Sequence, residues 1–549
     1  MVNIRRARLT FLGARLDGWS LLTLVLGLLL LGPFAALLIT MMGDSDGLWS
    51  HLMATVFPRY VVNTLLLMFG VGLLSLGFGL TTAWIVTRFR FMGSGWLQWG
   101  LLLPATVPGY IIAYTYTDLL EFAGPLQTFI RSLFGWQSVR DYWFPEIRSM
   151  GGAILVMGSV LYPYVYLMAR TGFRVIPASY YEVALSHNRN LFFTVAIPIA
   201  RPAIVAGLAL VLMETISDFG TVEYFAVETL TLGIFNVWLG MNNLTAAAQI
   251  AGMAFVFILA LLYIEQAARK RQRFTDDTRR SISLAPIQLK GRRAWIAMII
   301  CLIPITLGFA IPVWVLLGFV IEGFAVIDFG ALYRNMFNSV AVALIASVVV
   351  MVSAFIMGSV VSYRNHPRLA VLTAISSMGY AFPGTVLAIG VVAFAGMLDN
   401  SWNWLVVTQL GFTIEIALIG SFSLLIVAYV VRFQAIGYGA THSGIKRLSP
   451  NIMNASFVLG RGFTSSLTTV ASPLLFKTML AGGTLVFVDV MKELPMTLLL
   501  RPFNFETLAT YVYQFAKDEL LEQSALAALT IVIAGLGPII LMNASQVRR

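Results

Sequence analysis

Cysteine is almost absent. The single one, Cys301, lies inside an apolar run, so a disulfide within the chain is excluded and the residue reads as a small packing side chain. Histidine is nearly as scarce. His51, His187, His366 and His442 fall in expected loops, no two at ligand spacing, so the pattern supports neither a zinc centre nor a catalytic histidine site, and no stable metal site is expected. Charge is the third deficit: 11% of the 549 residues are Asp, Glu, Lys or Arg, against 59% hydrophobic. The clustered histidines or carboxylates of a membrane-embedded enzyme are missing. So are a Gly-x-x-x-x-Gly-Lys-Ser/Thr phosphate loop and any long polar domain that could hold a nucleotide, and the chain is expected to hydrolyse nothing and bind no cofactor. The net charge of +11 is scattered over loops, a distribution that does not suit nucleic acid.

What the sequence has instead is long apolar runs. "WSLLTLVLGLLLLGPFAALLITMM" (19–42) exceeds the roughly 20 residues needed to cross a bilayer. It follows Arg5, Arg6, Arg8 and Arg15, the arrangement of a signal peptide, but a signal core is about 7–15 residues and ends on small residues. This run is longer and ends in Met-Met-Gly-Asp, so it reads as a retained first span. Hydropathy suggests an all-α polytopic membrane protein with about 12 transmembrane helices, near 19–42, 61–87, 96–117, 150–170, 199–220, 245–267, 294–321, 336–361, 370–396, 410–432, 473–491 and 523–543. With both termini in the cytoplasm, most of the 36 lysines and arginines fall on cytoplasmic segments, as the positive-inside bias requires. The charged segment 265–293 reads as a solvated cytoplasmic connector in contact with anionic lipid.

Around that connector the chain repeats. Asn63-Thr64 recurs as Asn338-Ser339, Pro108-Gly109 as Pro383-Gly384, Pro198 as Pro473, and Glu214 and Asp218 as Asp489 and Glu493, each 275 residues on. Both halves start inside and cross six times, so the repeat is parallel, about an axis along the membrane normal. The expected domains are a first half over 1–268, a basic linker over 269–293 and a second half over 294–549.

The loop before the eleventh span reads "NASFVLGRGFTSSLTTVASPLL" (454–475). Here the chain resembles the permeases of binding-protein-dependent ABC importers, type I, whose signature is Glu-Ala-Ala, three residues, Gly, then a longer helix ending near Leu-Pro. Asn454-Ala455-Ser456, Gly460 and Pro473 match at the family spacing, with Asn in place of Glu. Glu182-Val183-Ala184 and Pro198 match in the first half, but the interval is three residues short and no glycine is present; Asn188 stands near its place. The resemblance implies that the loops 180–198 and 452–473 couple to two copies of a cytoplasmic ABC ATPase that binds ATP and Mg. Small residues suit close seating in a partner's cleft, glycine suits the turn, and proline is expected to start the next span. Three missing residues are about 4.5 Å of helix, so the first coupling helix is expected to be shorter or to be followed by a tighter turn.

The carboxylates Glu214, Asp218, Asp489 and Glu493 stand at i and i+4 near the outer ends of two repeat-related spans. A charge at mid-bilayer costs about 2.5–3.5 kcal/mol on insertion scales and less near the interface, so these acids are expected on a water-accessible face, as lining or outer gate of a translocation path. In "VMKELPMTLLLRP" Pro495 and Pro502 are expected to interrupt helix at the outer mouth, with Lys492 and Arg501 pairing with Glu493 or Glu506. "DFGTVEYFAVETLTLGIF" (218–235), "AAAQIAGM" (246–253) and "MKELPMTLLLRPFNFETLATYVYQFA" (491–516) look like the ferric-iron-type fused permeases. That resemblance implies a bacterial inner-membrane location, a periplasmic binding protein as partner, and ferric iron as cargo. Related permeases for thiamine, sulfate or organophosphonate are the alternative. A hard cation suits carboxylate oxygens held loosely enough for release. A 12-span secondary transporter is the reading from another mechanism class, with Glu415 as its candidate coupling acid.

Overall fold

The fold is that of a computed structural model describing residues 10–11, 14–15, 17–270, 285–364, 366–409 and 417–547. Glu415, Arg5, Arg6, Arg8 and the linker stretch 271–284 lie outside the described residues. The described chain is mostly helix. Its strands are two-residue pairings, Thr10–Phe11 with Ala14–Arg15 and Phe89–Arg90 with Ile287–Gln288. Among the described residues eleven helices are long and apolar enough to span a membrane: Gly18–Thr40, Phe57–Arg88, Met150–Val175, Phe192–Ser217, Leu244–Ile264, Arg292–Val326, Phe329–Arg364, Gly384–Val406, Phe422–Arg447, Phe463–Met491 and Leu521–Ile540.

The third expected span, 96–117, is broken. It forms a helix over Ser94–Gly100, a 3-10 turn over Leu103–Thr106 and a second helix over Gly109–Leu120. Pro104 and Pro108 lack the N–H that would continue the ladder, and Pro108 sits at φ −59°, ψ 142°, out of the helical region. Its repeat partner Pro383 has φ −53°, ψ 142° and likewise separates a short turn from the helix Gly384–Asn403. The ninth and tenth spans also start later than hydropathy predicts. The tenth span was expected to end at 432, whereas Arg432 is buried well inside Phe422–Arg447.

Two compact units arise, one from Met1–Gly43 with Met336–Thr507 and a larger one from Asp44–Asn335 with Leu508–Arg549. These cut across the sequence repeat. In the smaller unit the helix Gly18–Thr40 packs on Gly384–Asn403 and Pro367–Ser376. Its foot is fixed three ways: Asp17 Oδ1 accepts the Ser20 N–H at 2.9 Å, Arg364 Nη2 lies 2.6 Å from Asp17 Oδ2, and Trp19 Nε1 donates to Thr464 Oγ1 at 2.9 Å. In the larger unit Ile311–Gly323 packs on Leu521–Val547, and Cys301 is fully buried beside Tyr162, Tyr166 and Phe173. The repeat is nonetheless visible within each unit. Asn63 Nδ2 donates to the Glu228 carbonyl at 3.0 Å in the larger one, and Asn338 Nδ2 to the Glu506 carbonyl at 3.0 Å in the smaller. Each amide donates to a loop carbonyl at a membrane boundary, where backbone groups need partners from the protein.

Candidate functional site

The two loops singled out by the signature fold alike. Ala178–Ser186 and Pro450–Val458 are helices of nine residues each. Both end on a left-handed residue, Asn188 at φ 51° and Gly460 at φ 81°. Both close with the same pair of bonds: Asn188 N–H to the Leu185 carbonyl at 3.0 Å with Arg189 N–H to that of Ala184 at 2.9 Å, and Gly460 N–H to that of Phe457 at 3.0 Å with Arg461 N–H to that of Ser456 at 3.1 Å. A residue with positive φ that lets the next N–H reach back over the last turn is the standard way a helix stops sharply, and Asn is the usual substitute for Gly there.

The shorter interval of the first half therefore lies elsewhere than expected. The first short helix is not shorter and its turn is not tighter. The missing three residues come from the foot of the ascending helix, which has Phe463–Ser466 below its π turn in the second half and only Leu191 in the first. Proline does not start that helix either. Pro198 and Pro473 each follow a π turn, Phe192–Ala196 and Leu467–Ala471, and stand one residue into the regular α stretch. A wider turn makes room where proline removes a donor and crowds the preceding carbonyl.

Each short helix has an inward and an outward side. Tyr181 and Ala184 are buried in the larger unit, and Met453 and Ser456 in the smaller, with Ser456 Oγ 2.8 Å from Ser466 Oγ. Glu182, Val183, Asn454 and Ala455 face out. Val183 and Leu185 on one helix are 62% and 54% exposed, and Val458 and Leu459 at the end of the other 87% and 79%.

The second arrangement is built twice around the broken spans. In the larger unit, Asp218 follows the helix ending at Ser217, and its carboxylate accepts the Thr221 N–H at 3.0 Å and the Thr221 hydroxyl at 2.9 Å. In the smaller unit, Glu493 accepts the N–H groups of Met496 at 3.1 Å and Thr497 at 3.0 Å, and the Thr497 hydroxyl at 2.9 Å. Tyr429 Oη lies 2.6 Å from Thr497 Oγ1. Both carboxylates thus cap the short helix that follows their span, where free N–H groups favour an anion. Both also lie under the glycine of a broken span: a Cβ on Gly109 would come within 2.8 Å of Thr221 Oγ1, and one on Gly384 within 2.7 Å of Glu493 Oε1.

Here the sequence reading needs correction. Glu493 was expected at a water-accessible mouth, yet its side chain is only 2% exposed and stands 3.5 Å from Arg432 Nη1. Arg432 makes burial possible by supplying an opposite charge, and Nε and Nη1 of that guanidinium have no hydrogen-bond partner among the described residues, so the pairing is purely electrostatic. Glu214 and Asp489 are half-buried in the last turn of their helices. Lys492 Nζ pairs with Asp489 at 2.8 Å, and Arg501 pairs with Glu506 as expected. Pro495 begins the helix Pro495–Leu500, where its missing N–H costs nothing, and Pro502 follows that helix's end. Arg432, Thr221 and Thr497 escaped the sequence reading. A lone arginine in "AYVVRFQAIGYG" (428–439) was the signal for the first.

No family model matches the chain. Over 540 residues it is 24% identical to the Fe(3+)-transport system permease protein FbpB 2 of Haemophilus influenzae, covering 95% of this chain and 97% of that protein. It is 29% identical over 259 residues to the sulfate transport system permease protein CysT of Salmonella typhimurium, 45% of this chain and 88% of that protein. The molybdenum transport system permease protein ModB of Haemophilus influenzae is 22% identical over 206 residues, 36% of this chain and 86% of that protein. The last two match with most of their own length and less than half of this one.

Proposed function

We infer that this chain, a fused two-half permease subunit of an ATP-driven ABC importer, passes ferric iron across a bacterial inner membrane, with both termini in the cytoplasm and ATP hydrolysed on a separate subunit. The observation that carries the reading is the pair of nine-residue helices, one per unit, with the same left-handed stop and the same division into buried anchors and exposed apolar residues. Exposed apolar side chains on a short, sharply ended helix suit a seat in a partner's cleft. Two such seats suit two ATPase copies, each with its own ATP and Mg. Glu182 and Asn454 lie at equivalent places on the outward sides. In this cycle a loaded periplasmic binding protein docks outside, ATP binding draws the short helices together with the ATPases, and hydrolysis resets them.

The carboxylates take two roles in this reading. Asp218 and Glu493 hold the turns that follow their spans, and Glu214 and Asp489, one turn earlier and half-buried, meet the cargo as transient oxygen ligands or gate. Ferric iron as cargo is supported by the full-length match to an Fe(3+)-transport permease. An oxyanion cargo is favoured by the slightly higher identity to CysT over one half. The test is uptake into proteoliposomes holding this chain, its ATPase and its binding protein. ATP-dependent accumulation of radioactive iron, not competed by sulfate or molybdate, is expected. Gradient-driven uptake by the chain alone would overturn the ABC mechanism, and ATP-driven uptake of an oxyanion would overturn the cargo.

A further inference from the structure

At the end expected in the cytoplasm, the larger unit gathers positive charge around one amide. Gln98, on the short helix Ser94–Gly100, is fixed by Tyr166, whose hydroxyl donates to its backbone carbonyl at 3.0 Å. Its side-chain oxygen accepts from two guanidinium groups at once, Arg170 Nη2 at 2.5 Å and Arg174 Nη2 at 3.2 Å. These arginines stand one turn apart near the end of Met150–Val175, and Arg90 lies within electrostatic reach of Arg174. Arg170 is 4% exposed, and its Nε has no hydrogen-bond partner among the described residues. The rings of Tyr166 and Trp99, 5.8 and 5.9 Å away, give it only weak attraction. Among the described residues no carboxylate pairs with Arg90, Arg170 or Arg174. A neutral oxygen shared between two cations leaves most of their repulsion standing, and a buried charge without a counter-charge is costly. The arrangement is complete only with an anion.

The repeat meets the same need differently. The positions 275 residues after Arg90, Gln98, Arg170 and Arg174 are Asn365, Thr373, Ile445 and Ser449, none of them charged. In the smaller unit Arg364, at the end of Phe329–Arg364, has a counter-ion in Asp17 at 2.6 Å. In the larger unit Arg88 is engaged by the Ala285 carbonyl at 2.7 Å, and the other three arginines have no such partner. Their surroundings indicate the source of the missing charge. Trp96 beside Gln98 is exposed, as is Trp295 on the helix Arg292–Ile305 that packs on Ser94–Gly100. Exposed tryptophans at the ends of spans mark the depth of lipid headgroups.

We propose that Arg174 and Arg90, backed by the buried charge of Arg170, hold the phosphate of one anionic phospholipid at this surface of the membrane. Guanidinium groups grip phosphate oxygens through paired N–H donors. Gln98 adds its amide nitrogen, which donates to no described residue, and Arg170 acts through its field. A lipid is favoured over an acidic protein segment because Arg170 and Arg174 belong to a membrane-spanning helix and the tryptophans place Gln98 at headgroup depth. Without the lipid the two cations push apart. The stem four residues before Ala178–Ser186 then loosens its hold on Ser94–Gly100.

The test uses the full chain, freed of lipid in detergent and titrated with phosphatidylglycerol or phosphatidylcholine, with native mass spectrometry counting bound lipid. One phosphatidylglycerol per chain should persist under conditions that strip phosphatidylcholine. Arg90→Gln/Arg174→Gln should bind it about thirty-fold more weakly, at about 1 kcal/mol for each charge removed, while eluting as the native protein does in size exclusion. Lys446→Gln/Arg447→Gln, the same loss of charge at exposed positions in the last turn of Phe422–Arg447, should bind it as the native chain does. Equal retention of both lipids, or equal loss in both double variants, overturns the site, because the attraction is then that of a diffuse basic surface. Displacement by an equal concentration of inorganic phosphate overturns a lipid as occupant. Displacement by the purified ATPase subunit assigns the arginines to that partner and overturns it too. Cargo and ATP play no part in the measurement, so failure of the lipid site leaves ABC import standing, and failure of import leaves the site standing.

Discussion

Gly460 offers a substitution whose effect is confined to the backbone. It stands at φ 81°, and no atom lies within 4 Å of the place a Cβ would occupy, so a side chain there clashes with nothing and only the left-handed conformation matters. That conformation costs an ordinary L-residue about 1–2 kcal/mol, and a β-branched one is a genuine outlier there, whereas asparagine adopts it several-fold more readily than most. The first half supplies an internal control, since Asn188 holds the equivalent turn at φ 51° with the same two closing bonds. Gly460→Val should therefore destabilise the turn by about 2 kcal/mol or more, a factor of about thirty in its population at 1.4 kcal/mol per decade. Gly460→Asn should cost only a few tenths of a kcal/mol. The assay is ATP-dependent cargo uptake in proteoliposomes, divided by the amount of chain in the membrane, with ATP hydrolysis measured alongside. Gly460→Val should insert normally yet lose most uptake per ATP, Gly460→Asn should retain it, and Asn188→Gly should change little. Equal activity of the valine and asparagine variants would refute the argument that the turn's backbone transmits force.

Removal of Arg432 by methionine leaves Glu493 buried beside its N–H donors alone, so a destabilisation of about 3 kcal/mol is expected, at the low end for a broken buried pair. Thermal unfolding in detergent reads it, and adding Glu493→Gln should recover part of the loss. Gly384→Ala should lower thermal stability more than Gly109→Ala, because its Cβ meets the buried Glu493–Arg432 pair and the other meets a threonine hydroxyl; the reverse order would discredit the close-approach account. Tyr181→Ala should detach the first short helix at about 3–5 kcal/mol, the usual cost of truncating a buried aromatic. Tyr180→Ala, at a 43% exposed neighbour, should leave stability unchanged while weakening co-purification with the ATPase.

The parts of this molecule legible in the sequence are those whose cause is local. Pro108 and Pro383 impose their extended backbone wherever they stand, so the repeat spacing survives into nearly identical dihedral angles. Asn188 could be recognised in the glycine's place because its short side chain tolerates positive φ. What escaped reading depends on distant partners. Hydropathy treats Arg432 as the edge of a span, since the neutralising Glu493 lies 61 residues further on. The same approach made Glu493 a mouth residue, since nothing in "VMKELPMTLLLRP" (490–502) reveals a guanidinium from another helix. Continuity misled in the third span, where an apolar window conceals two prolines. The three-residue deficit left two options open, and the structure took neither, because the loss was absorbed at the foot of a helix that could start later without moving its π turn.

Because the smaller unit joins Met1–Gly43 to Met336–Thr507, its opening helix is made long before its packing surface exists. At about 5–20 residues per second, the ribosome needs about 15–60 s to traverse the intervening sequence. For that interval Gly18–Thr40 waits in lipid with its buried side unmatched, exposed to any other helix that drifts by. The larger unit is in a similar position, since Leu521–Val547 is made long after Asp44–Asn335. Neither body can be finished before its second-half segments are made, so a ribosome that stalls within the second half leaves two incomplete assemblies and not one sound one. Joining both halves in one polypeptide makes each late segment arrive in equal number, and next to the surface that has been waiting for it.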